Sequence, residues 1–285
     1  MQFHNATADV FVPDGLPLEQ ALPRTTHLAV GAHQDDIEIM AYHGIAECFG
    51  RSDRWMTGVT VTNGAGSART GVYAHFTDEQ MMEVRRKEQR KAAAIGEYAA
   101  QIQLDYSSSQ VKDPGNQAVV EDLYRILEAA RPQVVYLHNP ADKHDTHVAV
   151  MLRAIEALRR LPAEAQPEHV YGCEVWRSLD WVLDEDKVVL PVSAYPNLAE
   201  ALVGVYDSQI TGGKRYDLAT AGRRLANATY FESHATDVET GLTFAVNLKP
   251  LLESPTLSVE EFIFAYMERF FDDVRDRIRR LSEAD

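Results

Sequence analysis

The sequence predicts an α/β protein with a mostly parallel sheet, helices on both of its faces, and a C-terminal extension. Three observations carry this. Short apolar runs alternate with helical periodicity through the first half of the chain, in the order βαβαβαβα. The runs ending in Leu28-Ala29-Val30 and Val134-Val135-Tyr136-Leu137 are apolar throughout, as strands covered on both faces must be. Each is followed directly by an acidic and histidine-rich cluster, His33-Gln34-Asp35-Asp36-Ile37-Glu38 and Asp142-Lys143-His144-Asp145-Thr146-His147. Ligands of open α/β sheets bind at that carboxyl edge.

Residues 26–32 read as the first strand of this pattern. Residues 37–49 read as a helix opened by Asp35 and Asp36, whose charge suits exposed helix N–H groups. A β-rich run at 55–62 leads into the loop Asn63-Gly64-Ala65-Gly66-Ser67, either a ligand cradle or a plain turn. Thr77-Asp78-Glu79-Gln80 resembles a cap before a long helix, 78–96, with an apolar stripe at Met81, Val84, Ala92 and Ile95. A short strand at 101–104, a helix at 118–130 stopped by Arg131-Pro132, a strand at 133–138 and a helix at 147–160 complete the core.

Beyond Pro162 the pattern is less regular, with strands expected at 169–176 and 187–190 and helices at 196–206, 215–232 and 258–282. Residues 162–167 form the one internal seam. The polar stretches 206–209 and 229–234 are suited to lining a pocket. The last helix, with Phe262, Phe264, Tyr266, Met267, Phe270, Phe271 and Val274, carries more apolar bulk than one stripe needs. It packs on the domain or on a second subunit, the latter making a homo-oligomer.

Composition narrows the function classes. The chain has 285 residues, 45% of them apolar and 25% charged, enough to bury a substantial core. With 28 Lys and Arg against 43 Asp and Glu, a formal charge of −15 argues against nucleic acid and favours a neutral or cationic small substrate. Cys48 and Cys173 lie far apart without a CxxC spacing, so a reduced protein is expected. Neither a basic, apolar leader nor an eighteen-residue apolar run is present, which predicts no membrane association and a cytoplasmic protein.

The two clusters together suit a metal. Zinc takes nitrogen and oxygen ligands in tetrahedral array, and His33, Asp36 and His147 supply three, leaving Asp35 to take a proton from the attacking water. The same donor types also make the facial triad of a non-haem iron oxygenase, and a non-catalytic sugar-binding protein is a third reading. Asp35 and Asp36 as a mere helix cap, and His144 as a surface histidine, are the plain alternatives. Glu38 either complements the helix dipole or orients a ligand, while His27 and His43 read as structural or surface residues. No GxGxxG fingerprint is present, which argues against a nicotinamide enzyme.

At these residues the chain resembles a known family. His33-Gln34-Asp35-Asp36-Ile37-Glu38 is similar to the AHPDDxE signature of the PIG-L (LmbE-like) deacetylases, with Gln34 in place of proline. His144-Asp145-Thr146-His147 resembles the family's HxDH motif, and Arg85-Arg86-Lys87-Glu88 its Arg-x-x-Glu helix. The resemblance spans about 25–160. It implies a three-layer αβα, Rossmann-like sheet in one domain over 1–285, with 161–285 as extension. It also implies a metal-dependent amidohydrolase that removes acetyl from an N-acetylglucosamine-type conjugate. His33, Asp36 and His147 would then bind Zn2+, with Fe2+ or another divalent metal also accepted. Asp35 would be the general base, His144 would stabilise the tetrahedral intermediate, and Arg85 would position substrate. The chain departs from the pattern at Thr146, where the family has an acid, with Asp145 one step earlier. Without an acid partner, His144 is expected to be neutral more of the time.

Overall fold

The structure is a computed structural model that describes residues 1–282. Its eight strands are β1 (Asp9–Phe11), β2 (His27–Gly31), β3 (Met56–Thr62), β4 (Ala100–Tyr106), β5 (Val134–His138), β6 (His169–Cys173), β7 (Val188–Pro191) and β8 (Leu242–Asn247). They form one sheet in the order β1-β4-β3-β2-β5-β6-β8-β7. The five strands from β4 to β6 are parallel, and β1, β8 and β7 add antiparallel edges. The strand order reverses at β2, between β3 and β5, which opens the crevice where such sheets bind ligands.

Alternation along the strands builds two cores. Leu28, Val30, Val135 and Leu137 face a layer containing the helices Gln117–Ala130 and Asp145–Arg160. Ala29 and Tyr136 point the other way, into a layer that includes Ile37, Ile45, Ala92 and Leu202. Both faces are therefore covered, as the fully buried β2 and β3 require. The seam at 162–167 is only the connection from the Asp145–Arg160 helix into β6. No helix of the described residues is long and apolar enough to cross a membrane.

Several expectations are corrected. The helix expected at 37–49 is two, Asp36–Met40 and Tyr42–Cys48, broken at Ala41. The cause lies far along the chain: Arg224 Nη2 donates to the carbonyls of Glu38 (2.9 Å) and Ile39 (3.1 Å). A continuous helix would offer those carbonyls to the N–H groups four residues on. The helix Asp78–Ile95 has the foreseen capping box, but Ile95 is exposed and the buried face carries Arg85, Glu88 and Gln89 beside Met81, Ala92 and Ala93. The strand β8 was not anticipated, although Leu242, Thr243, Phe244, Ala245 and Val246 are all buried between β6 and β7. Residues 232–234 are exposed and line no part of the carboxyl-edge cleft.

Candidate metal and catalytic centre

The turn after β2 sets the site. Asp35 sits in the left-handed region at φ 91, unfavourable for a residue with a Cβ. Its N–H donates to Gln89 Oε1 at 3.3 Å, and Arg85 Nη2 binds its carboxylate at 2.8 Å. Neither Asp35 nor Asp36 caps the following helix with a side-chain bond, so the cap reading fails. Gln34, at the position of the family proline, is buried, and its Nε2 donates to the Thr62 carbonyl (3.1 Å) and Gln103 (3.3 Å). The turn is tied to β3 and β4 by hydrogen bonds in place of a ring.

The two clusters meet across β2 and β5. His33 Nδ1 lies 3.2 Å from His147 Nε2 and 3.3 Å from Asp36 Oδ2, and His147 Nε2 lies 3.4 Å from Asp36 Oδ1. Ligands bonded at roughly 2.0–2.1 Å in a tetrahedral array stand about 3.4 Å apart. The donor types and separations near this spacing suit a divalent metal, and His147 is shared by two groups of close donors, His33 with His144 and Asp36 with His138. His138, unremarked in the sequence, stacks on His147 with centroids 3.9 Å apart and places Nε2 3.4 Å from Asp36 Oδ2. That nitrogen accepts the Ala32 N–H at 3.0 Å, so its lone pair is already engaged. Asp142 stands behind His147, with Oδ2 3.5 Å from Nδ1, and accepts the His144 and Trp176 backbone N–H groups. It is placed to orient the imidazole, as carboxylates behind metal-binding histidines do.

Electrostatics separate the neighbouring acids. Burial pushes the Asp35 carboxyl up to about 7, aided by the Asp36 charge and opposed by Arg85. Burial acts on Asp36 too, but the imidazoles of His147 and His138 hold it well below the usual carboxylate range. Such a divergence suits one group to proton transfer and the other to permanent charge. Burial lowers His147 to about 4, which keeps it a neutral donor. His144 is also lowered, by burial and by His33, with Asp36 and Asp142 opposing. Asp145 is exposed and makes no hydrogen bond to His144, so it does not stand in for the family acid at Thr146.

Arg85 is 1% exposed. Besides Asp35 it binds Glu88 at 3.1 Å and the Gln34 carbonyl, while Glu88 accepts both the N–H and hydroxyl of Ser208 at 2.7 Å. Its guanidinium thus holds Asp35 and Glu88 together at the edge of the cleft, which it also lines. Glu38, in the first turn of its helix, is wholly buried and accepts from Tyr98, Tyr206 and Gln89, so it braces the turn after β2 through Gln89. Of the stretch 206–209, Tyr206 and Ser208 join this network and Gln209 reaches the cleft. His27 and His43 are structural, bonded to Thr26 and Tyr136. The cleft, about 400 Å³, is lined by His33, Asp35, His144, Gly64, Trp176 and Tyr216 among others. The loop after β3 and two aromatic residues from the C-terminal half therefore share in it.

Fold and site together define an α/β protein with a candidate His-Asp-His metal centre and an adjacent buried aspartate, Asp35, at the carboxyl edge of its sheet. Residues 28–158, a little under half of the chain, match the family model described as PIG-L: GlcNAc-PI de-N-acetylase. No curated protein matches the chain. Among solved structures, it is similar to the conserved protein TT1542 from Thermus thermophilus, with a TM-score of 0.60 and 21% identity, covering 82% of this chain and 99% of that one. It is similar to GalB, the 4-carboxy-2-hydroxymuconate hydratase of Pseudomonas putida, at 0.59 and 18%, covering 79% and 96%. The N,N'-diacetylchitobiose deacetylase of Pyrococcus horikoshii gives 0.59 and 16%, covering 77% and 83%. At these identities the likeness is one of fold.

Proposed function

We propose that this protein is a metal-dependent hydrolase that removes acetyl from an N-acetylated amino sugar within a small conjugate. The observation that carries this reading is the donor set of His33, Asp36 and His147, at 3.2–3.4 Å from one another, with the proton-ready Asp35 adjacent in the chain. The family match and the deacetylase among the structural relatives support it. His33, Asp36 and His147 would hold the metal, zinc first among divalent candidates, since two imidazoles and a carboxylate suit it. Bound there, a divalent ion supplies Lewis acidity to water and to the amide carbonyl.

The chain's own residues do the rest. Asp35, held through one oxygen by Arg85, takes a proton from the attacking water and later delivers it to the leaving amine. Its raised pKa makes both transfers accessible near neutral pH. A neutral His144 donates one N–H to the oxyanion of the tetrahedral intermediate. Arg85, which holds Asp35 and itself lines the cleft, positions the base and the substrate. Trp176 and Tyr216, with rings perpendicular at 6.2 Å, offer walls to the sugar.

The likeness to a hydratase supports a second reading, in which the same base and metal add water to a carbon–carbon double bond. Nothing comparable favours the oxygenase or the non-catalytic reading. The test is metal content together with amine release from a panel of N-acetylglucosamine conjugates, for wild type, Asp35→Asn and His147→Ala. Amine release by wild type, its loss with metal retained in Asp35→Asn, and loss of metal in His147→Ala are expected. Metal binding with no amine release from any conjugate would sink the deacetylase reading and turn attention to hydration of an enol acid.

A further inference from the structure

The helix Val259–Ser282 is anchored along its first half. Phe262 and Ile263 are buried, Phe262 packs on Tyr266, Phe270 meets Trp181, and Arg269 pairs with Asp186 at 2.6 Å. Beyond Phe271 it buries no residue. Along its free side run Phe264, Met267, Phe271, Val274, Ile278 and Leu281, each between 39% and 77% exposed. Their spacing is three, four, three, four, three, the a and d positions of about two and a half heptads. Six large apolar side chains in a row do not stay in water without cause, and a helical end without tertiary packing is marginal by itself.

Charge along the same helix is segregated. Residues 259–273 carry Glu260, Glu261, Glu268, Asp272 and Asp273 against Arg269, whereas 274–282 carry Arg275, Arg277, Arg279 and Arg280 against Asp276. We infer that this face is the seam of an antiparallel coiled coil between two copies of the chain. With Phe271 of each copy opposite Val274 of the other, Phe264 meets Leu281 and Met267 meets Ile278. The acidic half of each helix then lies along the basic half of its mate. At the flanking positions Glu268, which has no ion pair within the described chain, faces Arg275 twice over by symmetry. A parallel pair would set acid against acid and base against base, with no attractive flanking pair. The inference is independent of the chemistry at the metal centre.

Sedimentation velocity of the full chain at micromolar concentration is expected to show a dimer, and Phe271→Glu a monomer whose far-ultraviolet circular dichroism loses no more than the helical turns beyond Phe271. Glu268→Arg or Arg275→Glu alone should weaken association roughly tenfold, and the double exchange should restore it. Protein bearing Phe264→Cys should cross-link to protein bearing Leu281→Cys, and neither to itself. A monomeric wild type overturns the inference, whether it remains free or floats with anionic lipid vesicles. So does a dimer that survives Phe271→Glu, or self-cross-linking of either cysteine variant.

Discussion

At Asp35 two costs are borne together, a left-handed backbone at φ 91 and a buried carboxyl. They are held by Arg85, itself locked by Glu88. Arg85→Met is therefore expected to cost about 3–5 kcal/mol, because it leaves Asp35 and Glu88 buried without their cation. Urea denaturation measures this, and a loss below about 1 kcal/mol would show that Arg85 does not hold the acids. His144→Ala should lower kcat by about 10²–10³ with KM little changed, the signature of a donor used in the transition state. A pure KM effect would make His144 a substrate contact instead. His27 supplies a pH dependence of stability: burial lowers it from 6.5 to about 4, so its proton binds the unfolded chain first. Its contribution is full above pH 6.5 and is lost as pH falls toward 4, by up to about 3 kcal/mol. His27→Gln should flatten that part of the stability profile; an unchanged slope would place the linkage elsewhere.

Among the elements, the break at Ala41 shows one helix shaped by another. Arg224 satisfies two carbonyls that the helix turns away from its own N–H groups, and it lies 4.7 Å from the Tyr42 ring. Arg224→Leu is expected to destabilise by about 1–3 kcal/mol. Faster amide exchange should be confined at first to residues 36–48; uniform acceleration would mean that the contact is not local. The parallel strands and long helices were legible because their periodicity is local, as was the capping box at Thr77, whereas the antiparallel β1 and β8 were not. On the polar face of the Asp78–Ile95 helix, Arg85 and Glu88 stood out through the resemblance, but their burial did not. Arg85, Glu88 and Gln89 look solvated at helical spacing until the turn after β2 and residues 206–208 are brought over them. His138 was missed because a lone histidine ending a strand carries no spacing signal.

For the whole molecule, the proposed centre would draw its donors from two clusters more than a hundred residues apart, so a bound metal should stabilise the folded chain and not the unfolded one. Removing it with a chelator is expected to lower the melting temperature, in proportion to about 4 kcal/mol if metal stands at roughly a thousand times its dissociation constant. An unchanged melting curve with demonstrated metal loss would argue against the buried donors as ligands.

The sequence by itself determined the parallel core, its alternation with helices, and the two motif clusters at the strand ends, because each is written in short-range pattern. Only the tertiary structure decided which side chains close on the cluster. It gave Arg85 to Asp35, Asp142 to His147, Arg224 to the broken helix and exposure to the seam of the last one. Those choices depend on which distant backbones the sheet order brings into contact, and burial then reverses what each side chain's polarity alone suggests.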